Sequence, residues 1–346
     1  MDRYDSAQLA HWITGAFEAC FVPRLDAEIA ADVLVRTSLR GIDTHGVSRV
    51  PVYAEKLRSG EVNPQAQPRI AWRDGALHVD GDGGLGQVVA MASVEEAIVR
   101  TDDVAAVSCS IRNSGHLAAL GMFALRAAVC GRVALLCQKT PPMMALPGAR
   151  GAAIGNNPIA FAAPVPDGPP LVFDMANSVV ARGQVMQALR DGAAIPADWA
   201  LGPDGTPTTD PSQALKGAMR PIAGHKGMGL AMLAECLAGA LTGAIDMVEA
   251  SAQGPVGSAG GISAFLLVIN PDLFVGRAAF EASMAQWMAN YLGAGGPRAR
   301  YPGQRQAQSE VERLIEGIPI PDSVLRELRD TGDLLGHPFN LSGSSK

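Results

Sequence analysis

Apolar residues recur at helical spacing near the start of the chain: Leu9, Ile13 and Phe17, then Ile29, Val33 and Leu34, with a Phe21-Val-Pro23 turn between the two sets. The spacing predicts a helical hairpin over 6–40 that leads into a third segment, closed by the Gly60-Glu-Val-Asn-Pro64 turn. At about residue 70 the pattern becomes α/β. Residues 76–80 alternate like a strand, 88–99 read as a helix, and 104–111 form an apolar β-rich run. Further strands are expected at 132–137, 159–163, 171–174 and 264–269, and helices at 116–129, 230–241, 277–292, 307–316 and 321–331. The stretch 195–211 reads as a polar surface excursion, 250–262 as a flexible Gly-rich loop, and 301–304 as a turn. Helical segments at both ends of an α/β middle imply that the first and last parts pack together. The division expected is a helical segment 1–70, an α/β region 71–300 and a C-terminal helical segment 301–346.

Composition narrows the class. With 346 residues, 39 Gly and 24 Pro, the chain suits one large or two intertwined α/β domains with many tight turns. A net charge of −6 without a basic cluster argues against nucleic-acid or anionic-membrane partners. No apolar run reaches the roughly 18 to 20 residues a membrane span needs, and the polar start lacks a signal-peptide layout, so a cytoplasmic protein is expected. Cys20, Cys109, Cys130, Cys137 and Cys236 are scattered in apolar stretches without paired spacing, which reads as buried free thiols and no metal site.

Candidate chemistry concentrates in Gly41-Ile-Asp-Thr-His-Gly-Val-Ser-Arg49. On a helix capped by Asp43 or Thr44, His45, Arg49 and Tyr53 would share one face, although Pro51 bends or interrupts it. Imidazole exchanges protons near neutrality and guanidinium grips a carboxylate, so the face could bind and protonate a 2-oxo acid; a plain solvated face is the alternative. A second imidazole, His116 in Asn113-Ser-Gly-His116, follows a strand end, where α/β proteins place chemistry; the competing reading makes Asn113 or Ser114 a helix cap. Gly81-Asp-Gly-Gly-Leu-Gly86 is a literal dinucleotide-type glycine motif, but no acidic residue follows the next strand, so a tight helix-on-strand turn is preferred. Asp174 ends an apolar run, where burial would raise its pKa, and a histidine would be a natural partner. Gly224-His-Lys226 precedes an apolar helix and suits an anion such as a cofactor phosphate, against a close helix contact as the alternative.

Taken in order, Asp43-Thr-His-Gly-Val-Ser-Arg49, Asp80-Gly-Asp-Gly-Gly-Leu-Gly-Gln87, Asn113-Ser-Gly-His116, Gly155-Asn-Asn-Pro158, Phe173-Asp-Met-Ala-Asn-Ser178, Pro207-Thr-Thr-Asp-Pro211, His225-Lys-Gly227 and Pro302-Gly303 run over almost the whole chain. Together they resemble the malate/L-lactate/L-sulfolactate dehydrogenase family, the type-2 group that includes ureidoglycolate dehydrogenase, 2,3-diketogulonate reductase and piperideine-2-carboxylate reductase. The resemblance implies a non-Rossmann α/β fold, a mixed-sheet cofactor domain beside a helical domain made from both termini, NAD or NADP as cofactor with NAD preferred, and a homodimer. It implies hydride transfer between nicotinamide and C2 of a small 2-oxo or 2-hydroxy acid, with a cyclic imino-acid reductase as alternative and an inactive cofactor-binding sensor as a remote one.

Carried over by position, it makes His45 the proton donor, supported by Thr44, Arg49 and Asp174, with His116 as competing acid/base and Arg49 and Tyr53 toward substrate. Thr140, Asp174, Met175, Ala176, His225, Lys226, Pro302, Gly303 and Gln304 match cofactor-contacting positions. Three positions depart from the family pattern: Gln304 replaces the usual Glu, Asn156 the usual Thr, and Gly115 the usual Asn before His116.

Overall fold

The computed structural model describes residues 1–149, 151–244 and 262–344. Helices α1 (Ser6–Glu18) and α2 (Arg24–Leu39) form the hairpin, and α1 is capped by the Asp5 carboxylate accepting from Gln8 N. The two chain ends are tied together by β1 (Asp2–Tyr4), which pairs antiparallel with β11 (Ile318–Ile320). Leu9, Ile13, Phe17, Leu34 and Tyr53 share one buried core with Ile318, Leu325, Leu328 and Phe339. Charges reinforce the junction, since Glu310 accepts from both Arg36 at 2.8 Å and Arg40 at 2.6 Å.

Seven strands make the main sheet, in the order β2 (Arg69–Arg73), β3 (Ala76–Asp80), β4 (Ala106–Ser114), β10 (Ile262–Ile269), β5 (Val133–Lys139), β6 (Ile159–Ala163) and β7 (Leu171–Met175). Among the described residues of this sheet, only β3 and β4 pair in parallel and every other neighbour is antiparallel. The sheet is therefore mixed, and β3, β4, β5 and β7 all end on the same rim. That shared rim carries the chemistry. The part of the 250–262 loop before Ile262 lies outside the described residues.

Strand alternation gives the sheet two buried faces. Leu77, Val79, Ile111, Leu136, Ala160 and Leu266 point to the face covered by α4 (Gly86–Arg100) and α5 (Gly121–Val129). Cys137 and Phe265 point to the other, against Ala234 and Ala238. Those alanines belong to α6-to-α8 territory: α6 (Arg182–Arg190), α7 (Pro211–Lys216) and α8 (His225–Ala234), the last continuing into a π turn, Glu235–Gly239.

Several expectations are corrected. Ile195, in the stretch read as a surface excursion, is buried with Met144, Val185, Ala200 and Met219 in a small core of its own. Cys20, Cys109 and Cys137 are buried, but Cys236 is exposed, because the apolar stretch 230–241 buries only part of its girth and leaves Leu230, Met232, Leu233 and Leu241 at the surface. Among the described residues, no helix is long and apolar enough to cross a membrane.

Candidate active site

The arm from 41 to 58 is not one helix. Two 3₁₀ turns, Asp43–His45 and Val47–Arg49, precede α3 (Val50–Arg58), and Pro51 sits in its first turn, where a missing N–H costs nothing. Gly46 makes the break. Its backbone lies so close to α2 that a β-carbon would come within 2.1 Å of Ser38 Oγ, while the same hydroxyl accepts from Val47 N. Neither Asp43 nor Thr44 caps a helix here. The Asp43 carboxylate instead accepts from both terminal nitrogens of Arg313, at 2.6 and 3.1 Å, pinning the arm to α10 (Gln304–Glu316, counting α9 as Arg277–Gly295). Thr44 Oγ lies 2.9 Å from His45 Nδ1, and Arg49 Nε donates to Thr44 O at 2.8 Å.

His116 comes to the arm from β4. The competing reading, capping by Asn113 or Ser114, does not hold, because both residues stay in the strand and α5 starts only at Gly121. His116 therefore lies in irregular backbone at the rim, held from below by the glycine-rich loop after β3. Gly115 N donates to Gly84 O at 2.9 Å, and Gln87 Nε2 donates to His116 O at 3.2 Å. A β-carbon at Gly86 would stand 2.4 Å from Gly115 O, so this loop must be glycine to let helix and strand end approach. The loop is a packing turn that contacts the backbone at Gly115 and His116.

Here the two imidazoles meet. The His45 and His116 rings have centroids 6.1 Å apart, and the buried Tyr53 hydroxyl sits 2.9 Å from His116 Nδ1. Burial, reinforced by Arg49, lowers the His45 pKa to about 4. Burial followed by His45, Arg49 and Lys56 lowers that of His116 to about 3. Among the described residues no carboxylate pairs with His45, His116 or Arg49. The cluster is electropositive and, among the described residues, carries no counter-charge of its own.

The other half of the rim is built differently. Asp174 finds no histidine: its Oδ2 accepts from Gly121 N at 2.7 Å, where the start of α5 offers an unpaired amide. Burial raises its pKa to about 6, with that hydrogen bond pulling the other way. Met175 and Ala176 follow it at the end of β7, half-buried. Thr140, at the end of β5, is buried, and its amide donates to Asn157 Oδ1 at 2.9 Å while its hydroxyl donates to Asn156 Oδ1 at 2.9 Å.

His225 and Lys226 are exposed at the start of α8, and Ile222 N donates to Asn177 O at 2.8 Å, which ties that segment to the end of β7. The Pro302-Gly303-Gln304 turn stands apart, against the outer edge of β7: Val172 N donates to Pro302 O at 3.0 Å, and Gln304 Oε1 accepts from Tyr301 N. Sequence reasoning left Gln87, Asn157, Asn177 and Glu235 without roles. Gln87 lay inside a quoted motif, but nothing in its spacing points to His116.

The chain matches the model of the malate/L-lactate dehydrogenase family over residues 4–329. It is 36% identical to the (2R)-3-sulfolactate dehydrogenase (NADP(+)) of Chromohalobacter salexigens, over 91% of this chain and 93% of that protein. It is 34% identical to the ureidoglycolate dehydrogenase (NAD(+)) of Escherichia coli O157:H7, over 88% of each. Among solved structures, the Δ1-piperideine-2-carboxylate reductase of Pseudomonas syringae pvar. tomato superposes with a TM-score of 0.86 at 30% identity, covering 96% of this chain and all of that one. The sequence over most of its length and the mixed-sheet fold are thus shared with known oxidoreductases, and the chain belongs to the malate/L-lactate dehydrogenase family.

Proposed function

We propose that the protein is an NAD(P)-dependent oxidoreductase that moves a hydride between nicotinamide and C2 of a small 2-oxo or 2-hydroxy acid. The observation that carries this reading is the cluster of His45, His116 and Arg49, none of which pairs with a carboxylate among the described residues. Such a cluster suits a substrate that brings one. Arg49 keeps its terminal nitrogens for that carboxylate, because its Nε is already spent on Thr44 O. His45 exchanges the proton on the C2 oxygen, with Thr44 fixing its Nδ1 side so that Nε2 faces the substrate. His116 is the second candidate for that role, favoured by the Tyr53 hydroxyl that fixes its ring in the same way.

Bound nicotinamide would supply or accept the hydride. The residues present suit such a cofactor: Asn177 Oδ1 is buried without a hydrogen-bond partner at the same rim, and an exposed cation, Lys226, begins the adjoining helix. Thr140, Asp174, Met175 and Ala176 would hold the ring side, His225 and Lys226 the phosphates, and the turn at Pro302, Gly303 and Gln304 a more distant part. Relatives whose names carry NADP(+) and NAD(+) leave both cofactors in the proposal.

Reduction of a cyclic imino acid is the alternative, since a buried acid such as Asp174 favours a protonated C=N, and relatives include pyrroline- and piperideine-2-carboxylate reductases. The test follows NADH and NADPH absorbance with a panel of 2-oxo acids and cyclic imines. Turnover of 2-oxo acids supports the main reading, turnover of imines alone selects the alternative, and consumption of neither cofactor with any substrate overturns both. The exposed Leu230, Met232, Leu233 and Leu241 support self-association as a homodimer, which light scattering would show as twice the chain mass.

A further inference from the structure

Outside the imidazole cluster, one side chain at the rim, Asn157, bridges several elements at once. It is fully buried and holds a backbone conformation with φ of 28°, which non-glycine residues seldom adopt. Every polar group of its side chain is used. Its Oδ1 accepts from Thr140 N at the end of β5, and its Nδ2 donates to Ala231 O in α8 at 3.1 Å and to Glu235 Oε2 at 2.8 Å. Its carbonyl accepts from Asn177 Nδ2, just past the end of β7, at 2.6 Å. One residue thus joins the ends of β5 and β7 to the body of α8. These are the three segments whose Thr140, Met175, Ala176, His225 and Lys226 are proposed above to hold the cofactor.

Among the described residues, the one charged partner of Asn157 is Glu235. Its second oxygen, Oε1, lies 3.0 Å from Nζ of the buried Lys139, so the carboxylate is fixed at both ends. The helix opens into its π turn at this very residue, and Gly239 comes so near that a β-carbon there would stand 2.9 Å from Glu235 Oε1. π turns of this kind interrupt the regular ladder at a cost and are concentrated at functional sites.

We propose that Glu235 is a positioning residue for the cofactor site: acting through Asn157, it sets the spacing of the β5 end, the β7 end and the start of α8. The inference rests on the reading of those segments as a nicotinamide dinucleotide site. It goes beyond that reading by assigning a buried residue that touches neither cofactor nor substrate. The carboxylate's acceptor oxygen matters in this account, and its charge serves only to balance Lys139.

Two charge-balanced double variants separate these contributions. In Glu235→Gln with Lys139→Met, the amide oxygen still accepts from Asn157; in Glu235→Leu with Lys139→Met, nothing does. Dissociation constants for NADH and NADPH are measured by calorimetry on the full chain, alongside thermal unfolding without cofactor. For the cofactor that wild type binds, the Gln/Met protein should stay within about threefold of wild type and the Leu/Met protein should bind about tenfold more weakly, the size expected for losing one hydrogen bond to a charged acceptor. With cofactor saturating, the KM for the substrate should be unchanged in both. Equal affinity in the two variants, whether retained or lost, overturns the proposal. Should Leu/Met not fold, Glu235→Ser with Lys139→Met, whose short side chain also misses Asn157, is read in its place. Wild type that binds neither dinucleotide would overturn the functional reading itself, whereas binding that ignores position 235 overturns only this inference.

Discussion

The two halves of the rim solve opposite problems. On the arm side, His45, His116 and Arg49 crowd together with no carboxylate among the described residues, so the positive character of the site is left uncompensated. On the β5 to β7 side, Thr140, Asn156, Asn157, Asn177 and Glu235 are linked in a hydrogen-bonded knot that leaves Asn177 Oδ1 open. The first half is incomplete in charge and responds to whatever anion arrives. The second is nearly complete and rigid, as a surface must be if it is to present a cofactor in one pose. The chemistry that changes protonation is thereby separated from the framework that fixes geometry.

Removing the imidazoles should break the arm side most severely. Replacing the proton-exchanging histidine by Ala is expected to lower kcat by about 10²–10⁴ while the cofactor dissociation constant stays near wild type. Comparing His45→Ala with His116→Ala identifies which ring does it, and equal loss of turnover and cofactor affinity would mark a structural histidine instead. Arg49→Leu comes next, with kcat/KM for 2-oxo acids falling about 10²-fold, chiefly through KM, while the methyl ester of the same acid is little affected. A matching loss for the ester would show that Arg49 does not read the carboxylate.

Asp174 tests the other half through stability. Its carboxyl titrates near 6 in the folded protein against an ordinary value of 3.8, so its contribution is fully present below about 4 and is lost as pH rises through about 6. Asp174→Asn, which keeps an acceptor for Gly121 N, should therefore match wild type in acid and be more stable by about 2 kcal/mol in urea unfolding at mildly alkaline pH. The histidines run the opposite way. Held below their usual pKa, they favour the folded state above about 6.5 and give up that contribution as pH falls toward about 4. The smallest effect is expected at the bracket between Asp43 and Arg313, where Asp43→Asn should cost under about 1 kcal/mol, because the carboxylate is partly exposed.

How much of this was legible in the sequence depended on how far apart the partners lie. Local periodicity located α1, α2, β3 and the two rim histidines, since each is signalled within a few residues. It misjudged 41–58, where i, i+4 spacing suggested a single helix, because the break at Gly46 is imposed by α2 packing against it and leaves no local mark. Asp174 showed its burial in the apolar run before it but not its partner, an amide at the start of a helix that begins later than its apolar pattern does. The knot was invisible. Asn157 and Glu235 are 78 residues apart and meet only because the fold lays α8 against the start of β6, which composition and spacing do not encode.

The measurement that bears most directly on the central idea is proton uptake when the carboxylate arrives. With both imidazoles neutral in the unliganded pocket, an anion placed among them and Arg49 must favour the imidazolium form. Calorimetric titration of oxamate into the NADH or NADPH complex near neutral pH, repeated in buffers of different ionisation heat, should show net uptake approaching one proton, and the uptake should vanish when the proton-exchanging histidine is replaced. Binding heats that do not depend on the buffer would contradict a pocket that waits for its counter-charge.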